Sequence, residues 1–258
     1  MSIEESDMAM QQKGWVIFEK VIPDNVLQQL NIDLEKAYVI CRELQIKNGI
    51  EVGTDGSVHH ILNLAESFMD LLDFLPLHLF LMNYFQGNYI LNSYGGFINT
   101  QNKSAYVGNV HRDIRTFSGD LPLMLNLLVM LDDFTLDNGA TYLLSGSHLK
   151  PEKPTDEEFY AHAERAIGPA GSLLLFNSNL WHAAGKNQTT LKRRALTLTF
   201  TKPFVKQQLD YPRALGYDQV DKLSDKLLQI IGYNARIPED LNGWYQPPHK
   251  RLYKPGQG

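Results

Sequence analysis

The chain has 258 residues, 43% of them hydrophobic, which suffices for a sizeable core and is close to the upper limit for one domain. The net charge is −5 and the basic clusters are short, so nucleic acid is not an expected partner. No apolar run reaches the roughly 18 to 20 residues of a membrane span, no signal peptide is recognisable, and a single cysteine excludes an internal disulfide, so we expect a cytoplasmic protein without a membrane partner.

Residues 1–87 are predicted to form mainly helical support. A short strand at 14–18 precedes Asp24, which can cap a helix. Apolar residues then recur at helical spacing, at Leu27, Leu30, Leu34, Tyr38 and Cys41. This spacing predicts a helix that buries one face, with Cys41 as a packing residue.

A second helical region is predicted over residues 61–85, with Pro76 in the first turn of a new helix. The histidines of the first 87 residues are interpreted as surface or packing residues, because nothing besides their residue type suggests ligands. They are His59, His60 and His78.

Strand-like runs follow at short intervals from residue 88. They cover residues 89–91, 97–99, 110–117, 123–131, 141–144, 172–176 and 195–200. Turn-forming sequences at 137–139 and 168–171 separate them, and many short strands punctuated by turns favour a sandwich or a barrel. We predict a mainly β fold with flanking helices. Its core is a double-stranded β-helix (a cupin-like jelly roll) over about 88–203, with the helices braced against one sheet.

The predicted strand at 110–117, VHRDIRTF, carries two metal-binding residue types on one face. Residues two apart in a strand share a face, so His111 and Asp113 look into the same space. An isolated His-x-Asp more often lies on a solvated strand face, so the motif needs support from elsewhere in the chain.

That support comes from GSLLLFNSNLWHAAGKNQTTLKRRALTLTF, which presents His182 in a loop between two predicted strands. Two histidines and one carboxylate are typical of non-haem Fe(II) oxygenases, which keep the remaining iron positions open for a co-substrate and dioxygen. Eleven residues after His182, Arg193 offers a planar guanidinium that suits the distal carboxylate of a 2-oxo diacid. Arg194 lies on the opposite strand face and is expected to be exposed.

The chain resembles the phytanoyl-CoA dioxygenase family of Fe(II)/2-oxoglutarate oxygenases. The resemblance runs through GWVIFEKVIPDNVLQQL, HRD, LDDFTLDNGATYLLSGSH, WHAAGKNQ and KRRALTLTF, in that order. It implies Fe(II), 2-oxoglutarate and O2 as cofactor and co-substrates. It also implies roles for individual residues, with His111, Asp113 and His182 as iron ligands and Arg193 as the 2-oxoglutarate anchor.

Two further residues are candidates for binding the co-substrate. Thr141 matches a family position that hydrogen-bonds 2-oxoglutarate in some members, and Asn126 is a weaker candidate because it interrupts an apolar strand. An ordinary β-forming threonine and a buried amide bonded to backbone are equally good interpretations. His148 matches a position outside the iron site and is assigned a structural role.

The resemblance implies oxygenation, most simply hydroxylation of an unactivated C–H bond in a small molecule, with release of succinate and CO2. Halogenating relatives have a small residue at the carboxylate position, which Asp113 fills here. Arg115 continues the face of the two ligands and either meets an anionic group of the substrate or forms a salt bridge at the pocket rim. No strongly basic run suggests a coenzyme A site, so phytanoyl-CoA itself is disfavoured.

Residues 94–106 and the C-terminal segment 204–258, with Tyr211, Tyr217 and Trp244, are expected to form loops over the pocket. The oligomeric state is expected to be a monomer or a homodimer. A non-catalytic jelly-roll binding protein and a zinc-dependent hydrolase with the same three ligands are the alternatives. Neither alternative requires Arg193.

Overall fold

The computed structural model describes residues 3–101 and 106–257. Within these ranges the helices are α1 (Ile3–Gln12), α2 (Asp24–Lys47), α3 (Glu66–Phe74), α4 (His78–Phe85), α5 (Asp156–His162), α6 (Tyr211–Leu215), α7 (Asp225–Ile231) and α8 (Leu241–Trp244). The strands are β1 (Trp15–Phe18), β2 (Ser57–His59), β3 (Ile90–Asn99), β4 (Met124–Met130), β5 (Tyr142–Leu143), β6 (Glu164–Arg165), β7 (Leu173–Asn177), β8 (His182–Ala183) and β9 (Arg193–Thr201). None of these helices combines the length and the apolar composition that crossing a bilayer requires.

Two antiparallel sheets carry the fold. The large sheet has six strands in the order β1-β7-β4-β9-β3-β2, and the small sheet has three in the order β6-β5-β8. A backbone pair between His111 and His182 adds one more residue beside β8. This arrangement agrees with the predicted jelly-roll core.

The two faces of the large sheet pack against different partners, because successive strand side chains point to opposite faces. Leu125, Leu127 and Val129 of β4 join the apolar cluster that contains the buried residues of α2, α3 and α4. Leu128 and Met130 of the same strand join the cluster that reaches β5 in the small sheet. The helices therefore brace one face, as predicted, and the other face looks into the space between the sheets.

Two expected features of the helical region are wrong. The helix α2 begins at Asp24, while Pro23 occupies the N-cap position without a side-chain cap, so Asp24 is the first helical residue and not the cap. Residues 61–65 are not helical, and Pro76 lies between α3 and α4, outside the first turn of either helix. Because proline disfavours helical conformation in the residue before it, Leu75 ends the first of these helices.

The strand predicted over residues 110–117 is also wrong. His111 donates its N–H to the His182 carbonyl at 3.0 Å and accepts the His182 N–H at 2.9 Å, but the ladder ends there. The next backbone hydrogen bond runs from the Ile114 N–H to the Ser178 carbonyl at 3.3 Å. It lies three residues after His111 on one segment but four residues before His182 on the other. Residues 113–116 form a bend because the two segments are out of register.

The strands predicted at 89–91 and 97–99 are parts of one strand, β3. Gly95 and Gly96 lie in the middle of this strand. A Cβ at Gly95 would lie 2.5 Å from the Val58 carbonyl oxygen, and one at Gly96 would lie 2.7 Å from a Leu34 methyl group. These glycines allow close approach by β2 and α2, which is a regular use of glycine inside a strand.

Candidate functional site

The structure brings His111, Asp113 and His182 together. One potential ligand atom from each lies within 4.8 Å of the other two. The Nε2 atoms of the two histidines each lie 3.6 Å from an Asp113 carboxylate oxygen, His111 from Oδ1 and His182 from Oδ2. The three side chains therefore surround a common point although they are 71 residues apart along the chain at their widest separation.

Backbone geometry sets this convergence. His182 is the first residue of β8, and its mutual backbone hydrogen bonds with His111 place the two imidazole rings side by side, with centroids 4.2 Å apart. The bend that follows His111 turns Asp113 toward both rings. The sequence prediction that His111 and Asp113 face the same space is therefore met by a bend and not by strand alternation.

Hydrogen bonds also select which imidazole nitrogen is free. The Nδ1 atom of His111 lies 2.8 Å from the Asn109 carbonyl oxygen, and that of His182 lies 3.0 Å from the Leu180 carbonyl oxygen. Because a carbonyl oxygen only accepts, each Nδ1 carries a hydrogen, and in the neutral ring the lone pair is then on Nε2, which faces the space beside Asp113. This pattern is usual for histidines that bind metal through Nε2.

Burial favours the neutral, metal-binding form of His182. The ring is 6% exposed, and its desolvation lowers the pKa of the imidazole, although the Asp113 carboxylate acts in the opposite direction. Two neutral imidazoles and one carboxylate are a donor set that suits Fe(II) and leaves further coordination positions open. The residues present therefore fit a ferrous ion.

The same cavity contains a buried arginine that forms no ion pair with any residue that the structure describes. Arg193 is 1% exposed, between the rings of Phe97 and Phe134, with guanidinium-to-centroid distances of 5.6 and 4.4 Å. Its Nη2 donates to the Gly139 carbonyl at 2.9 Å, while its Nε finds no partner among the described residues. Burial lowers the pKa of the guanidinium to about 9, even though Asp132 raises it.

A buried charge with an unused donor is costly unless a ligand completes it. A carboxylate would supply both the negative charge and the missing acceptor, through two parallel hydrogen bonds to the guanidinium. The surroundings of Arg193 therefore fit one end of a dicarboxylate co-substrate, which is the role expected from the sequence.

The metal-binding cluster and Arg193 line one cavity of about 440 Å³. Thr141 also lines it and is buried, as its expected contact with the co-substrate requires. Arg115 lines the same cavity at an exposed position and has no hydrogen-bonded or ionic partner within the described ranges. The cavity thus contains every residue that the sequence selected for the site.

Asn126 has a contact that was not expected. Its amide donates to the Asp113 carboxylate at 2.7 Å and to the Ser178 hydroxyl at 3.0 Å, so both amide hydrogens are already used. The amide is bonded to side chains and not to backbone, contrary to the alternative interpretation. Its assignment to the co-substrate stays a prediction.

The cavity is also lined by residues that sequence analysis did not name as site residues, and His59 and Tyr106 form a pair among them. The Nε2 atom of His59 and the hydroxyl of Tyr106 are 3.0 Å apart, and both residues face the space occupied by Asp113 and Arg115. The sequence analysis interpreted His59 as a surface or packing residue. The pairing of β2 with β3, which sets His59 opposite Gly95, is the signal that would have revealed it.

The two segments expected to form loops over the pocket contribute unequally to the cavity. Of the segment 204–258, Gln208 lines the cavity, whereas Tyr211 is buried beside His60, at 3.0 Å from its Nδ1 atom. Tyr217 and Trp244 are exposed residues that do not line it. Of the segment 94–106, residues 94–99 belong to β3 and not to a loop, and residues 102–105 lie outside the described residues. Gly95, Phe97 and Tyr106 of this segment line the cavity.

Arg194 is on the opposite face of β9 from Arg193, as predicted, but it is not freely exposed. Its guanidinium makes a two-pronged ion pair with Asp132, at 2.9 Å from Nε and 2.7 Å from Nη2. His148 lies outside the cluster, over Gly14, where a Cβ atom would come within 2.4 Å of its ring. This packing is consistent with the structural role assigned to His148.

The proteins that are similar in sequence to this chain include several named as dioxygenases. A protein of Mycobacterium tuberculosis whose name describes it as uncharacterized is 39% identical over 174 residues, which are 67% of this chain and 62% of that protein. The dioxygenase cdmA of Talaromyces verruculosus is 32% identical over 158 residues, 55% of this chain and 50% of that one. The iron/alpha-ketoglutarate-dependent dioxygenase penM of Penicillium thymicola is 28% identical over 148 residues, 51% of this chain and 45% of that one.

The chain therefore spans less than two thirds of the length of each of these relatives. Among solved structures, AviO1 from Streptomyces viridochromogenes superposes with a TM-score of 0.63 at 18% identity, over 79% of this chain and 96% of that one. This similarity confirms the jelly-roll fold. The family model of phytanoyl-CoA dioxygenase (PhyH) matches residues 10–195, and the chain belongs to this family.

Proposed function

We propose that the protein is an Fe(II)- and 2-oxoglutarate-dependent dioxygenase that hydroxylates an unactivated C–H bond of a small molecule. Succinate and CO2 are the co-products. The observation that carries this proposal is the buried, incompletely bonded Arg193 in the same cavity as His111, Asp113 and His182. Neither a zinc hydrolase nor a non-catalytic binding protein requires a carboxylate anchor at that place, whereas a 2-oxoglutarate enzyme does.

His111 and His182 hold the iron through their Nε2 atoms, and Asp113 holds it through its carboxylate. Because the backbone carbonyls of Asn109 and Leu180 fix both rings, the ligands are oriented before the metal arrives. Bound iron with 2-oxoglutarate supplies the activation of dioxygen and the oxidation of the substrate. Asp113 keeps the carboxylate position filled, so no coordination position is reserved for a halide.

Arg193 binds the distal carboxylate of 2-oxoglutarate, and the hydroxyl of Thr141 hydrogen-bonds the same molecule. The two phenylalanine rings beside Arg193 exclude water, which strengthens this charge pair and fixes the orientation of the keto acid. The opposite end of the co-substrate is then directed toward the three ligands, where it must lie in order to chelate iron.

The substrate enters on the side of Arg115, His59 and Tyr106. Arg115 is free to bind an anionic group, while the His59–Tyr106 pair offers neutral hydrogen-bonding groups. Burial lowers the pKa of the His59 imidazole, so His59 is a neutral partner there near pH 7. These residues favour a small polar molecule over a long-chain acyl thioester.

Release of succinate from 2-oxoglutarate tests the proposal. We expect the protein, supplied with Fe(II) and air, to form succinate slowly even without its substrate, and to form none when Zn(II) replaces Fe(II), because zinc has no redox chemistry. Hydrolase activity that persists with Zn(II), together with absent succinate formation with Fe(II), would contradict it.

A further inference from the structure

Asn126 is a polar residue at the centre of an apolar strand. It is 4% exposed, between Leu125 and Leu127 of β4, and its side chain points away from the helices into the space between the sheets. A buried amide costs free energy unless its donors and acceptor find partners. The partners of Asn126 therefore indicate why it stands there.

The amide of Asn126 is fully bonded to side chains around the candidate metal site. It donates to Oδ2 of Asp113 at 2.7 Å and to Oγ of Ser178 at 3.0 Å, and its Oδ1 accepts from the Thr199 hydroxyl at 2.9 Å. The orientation of the amide follows from chemistry. An ionised carboxylate only accepts hydrogen bonds, so the NH2 group and not the oxygen must face Asp113.

Asp113 needs such a partner more than the two histidines do. Each histidine is fixed through Nδ1 to a backbone carbonyl, whereas Asp113 lies in a bend with its side chain 35% exposed. Asn126, by contrast, belongs to a strand paired on both sides, with β7 and β9. A donor in the paired sheet therefore restrains the one ligand whose side chain no backbone carbonyl holds.

We propose that Asn126 is a positioning residue for the metal ligand Asp113. It engages Oδ2, which leaves Oδ1 as the oxygen that binds the metal and disfavours two-oxygen binding by the carboxylate. A coordination position thus stays open. Thr199 and Ser178 fix the amide in turn. This inference rests on the proposed metal site, and it differs from the expected contact of Asn126 with 2-oxoglutarate.

Binding of Co(II) to the metal-free protein tests this role without turnover. The variant Asn126→Leu keeps the number and branching of the side-chain heavy atoms and removes the hydrogen bonds. We expect it to bind Co(II) 10- to 100-fold more weakly than the unmodified protein, the range usual for partners of metal ligands. Its visible Co(II) spectrum should also change, because the carboxylate becomes free to bind through both oxygens.

The matched control is Asn92→Leu. Asn92 is likewise a buried strand asparagine, but its amide bonds to the backbone carbonyl of Lys206. The variant Asn92→Leu should leave the Co(II) affinity and the visible spectrum unchanged. If Asn126→Leu does not fold, Thr199→Val serves instead, with an expected loss of affinity of a few-fold, because it frees the amide without removing it.

Three outcomes oppose the proposal in different ways. In the first outcome, Asn126→Leu leaves the Co(II) affinity and spectrum unchanged but raises the KM for 2-oxoglutarate in the Fe(II) enzyme. This result would overturn the proposal and assign Asn126 to the co-substrate. Unchanged affinity with unchanged KM would leave Asn126 as a packing residue and would also overturn it. An unmodified protein that binds no Co(II) would overturn the proposed function together with this inference.

Discussion

At the residue scale, Arg193 is the side chain whose environment is least explained by folding alone. Its guanidinium is almost completely buried, and its nearest groups are two aromatic rings and one backbone carbonyl. A structural arginine would be expected to have an acidic partner, as Arg194 has in Asp132. Of these two neighbours on β9, Arg194 therefore has the contacts of a structural arginine, whereas Arg193 has those of a ligand-binding residue.

We expect Arg193→Ala to raise the apparent KM for 2-oxoglutarate by on the order of 100-fold, because the distal carboxylate then enters a buried site without a charged partner. Fe(II) affinity should stay near normal. Arg193→Lys should recover part of the loss, since lysine offers a charge but no planar pair of donors. Succinate formation measured against 2-oxoglutarate concentration gives these values.

Lys192→Ala is the better control for this series than Arg194→Ala. Among the residues that the structure describes, Lys192 forms an ion pair with Glu35 alone, whereas Arg194 also connects β9 to Asp132. The control should leave the KM unchanged. Equal and small effects of Arg193→Ala and Lys192→Ala would remove Arg193 from the co-substrate site.

At the element scale, the turn before β5 holds the carbonyl that Arg193 uses. Gly139 adopts a φ of +85°, and a Cβ atom there would lie 2.3 Å from the Gly185 carbonyl oxygen. Its own carbonyl accepts the Arg193 hydrogen bond. The turn is therefore packed against the loop after β8, and the two together form the wall beside Arg193.

We expect Gly139→Ala to reduce the free energy of unfolding by about 2 to 4 kcal/mol, since backbone strain and a clash with backbone add. Gly49→Ala is the matched control. Gly49 also has a positive φ, +70°, but a Cβ there meets no atom within 4 Å, so strain alone should cost about 1 kcal/mol. Urea unfolding compares the two, and equal losses would contradict the packing described for Gly139.

Sequence predicts the long elements better than the short ones. The strands β4, β7 and β9 were predicted within two residues at each end, because apolar residues are continuous in β7, interrupted once in β4 and alternate with threonine in β9. The strand β2 has three residues, too few for a periodicity, so His59 was not recognised. The bend at 113–116 depends on pairing with a distant segment, which no local pattern contains.

In the candidate site, too, some features were predicted from the sequence and others were not. Residue type and spacing in the sequence identified His111, Asp113, His182 and Arg193, and the fold brings them to one cavity. The contact of Asn126 with Asp113 could not be predicted, because it depends on a carboxylate in a bend and an amide in a sheet meeting through tertiary packing. The catalytic and binding roles assigned to the three ligands and Arg193 stay predictions.

At the scale of the whole molecule, burial of histidines links stability to pH. Desolvation lowers the pKa of five histidine side chains, which are His59, His60, His78, His148 and His182. The unfolded chain then binds more protons than the folded one at a pH below the unfolded value of about 6.5. Protonation therefore favours unfolding.

We expect the free energy of unfolding of the metal-free protein to be level near pH 7.5 and to fall as the pH drops from about 7 to about 5. The carboxyl groups of Glu158 and Glu164, whose pKa values are lowered by hydrogen bonds, extend the loss to lower pH. Urea unfolding at a series of pH values measures this. A free energy that rises as the pH falls from 7 to 5 would contradict the buried, neutral state of these histidines.

The central claim is that His111, Asp113 and His182 hold iron beside a bound 2-oxoglutarate. Anaerobic addition of Fe(II) and 2-oxoglutarate should produce a weak visible charge-transfer band, because the keto acid chelates ferrous iron in this ligand set. The band should be lost in Asp113→Ala and should need far more 2-oxoglutarate in Arg193→Ala. An iron-loaded protein that shows no band at saturating 2-oxoglutarate would contradict the account.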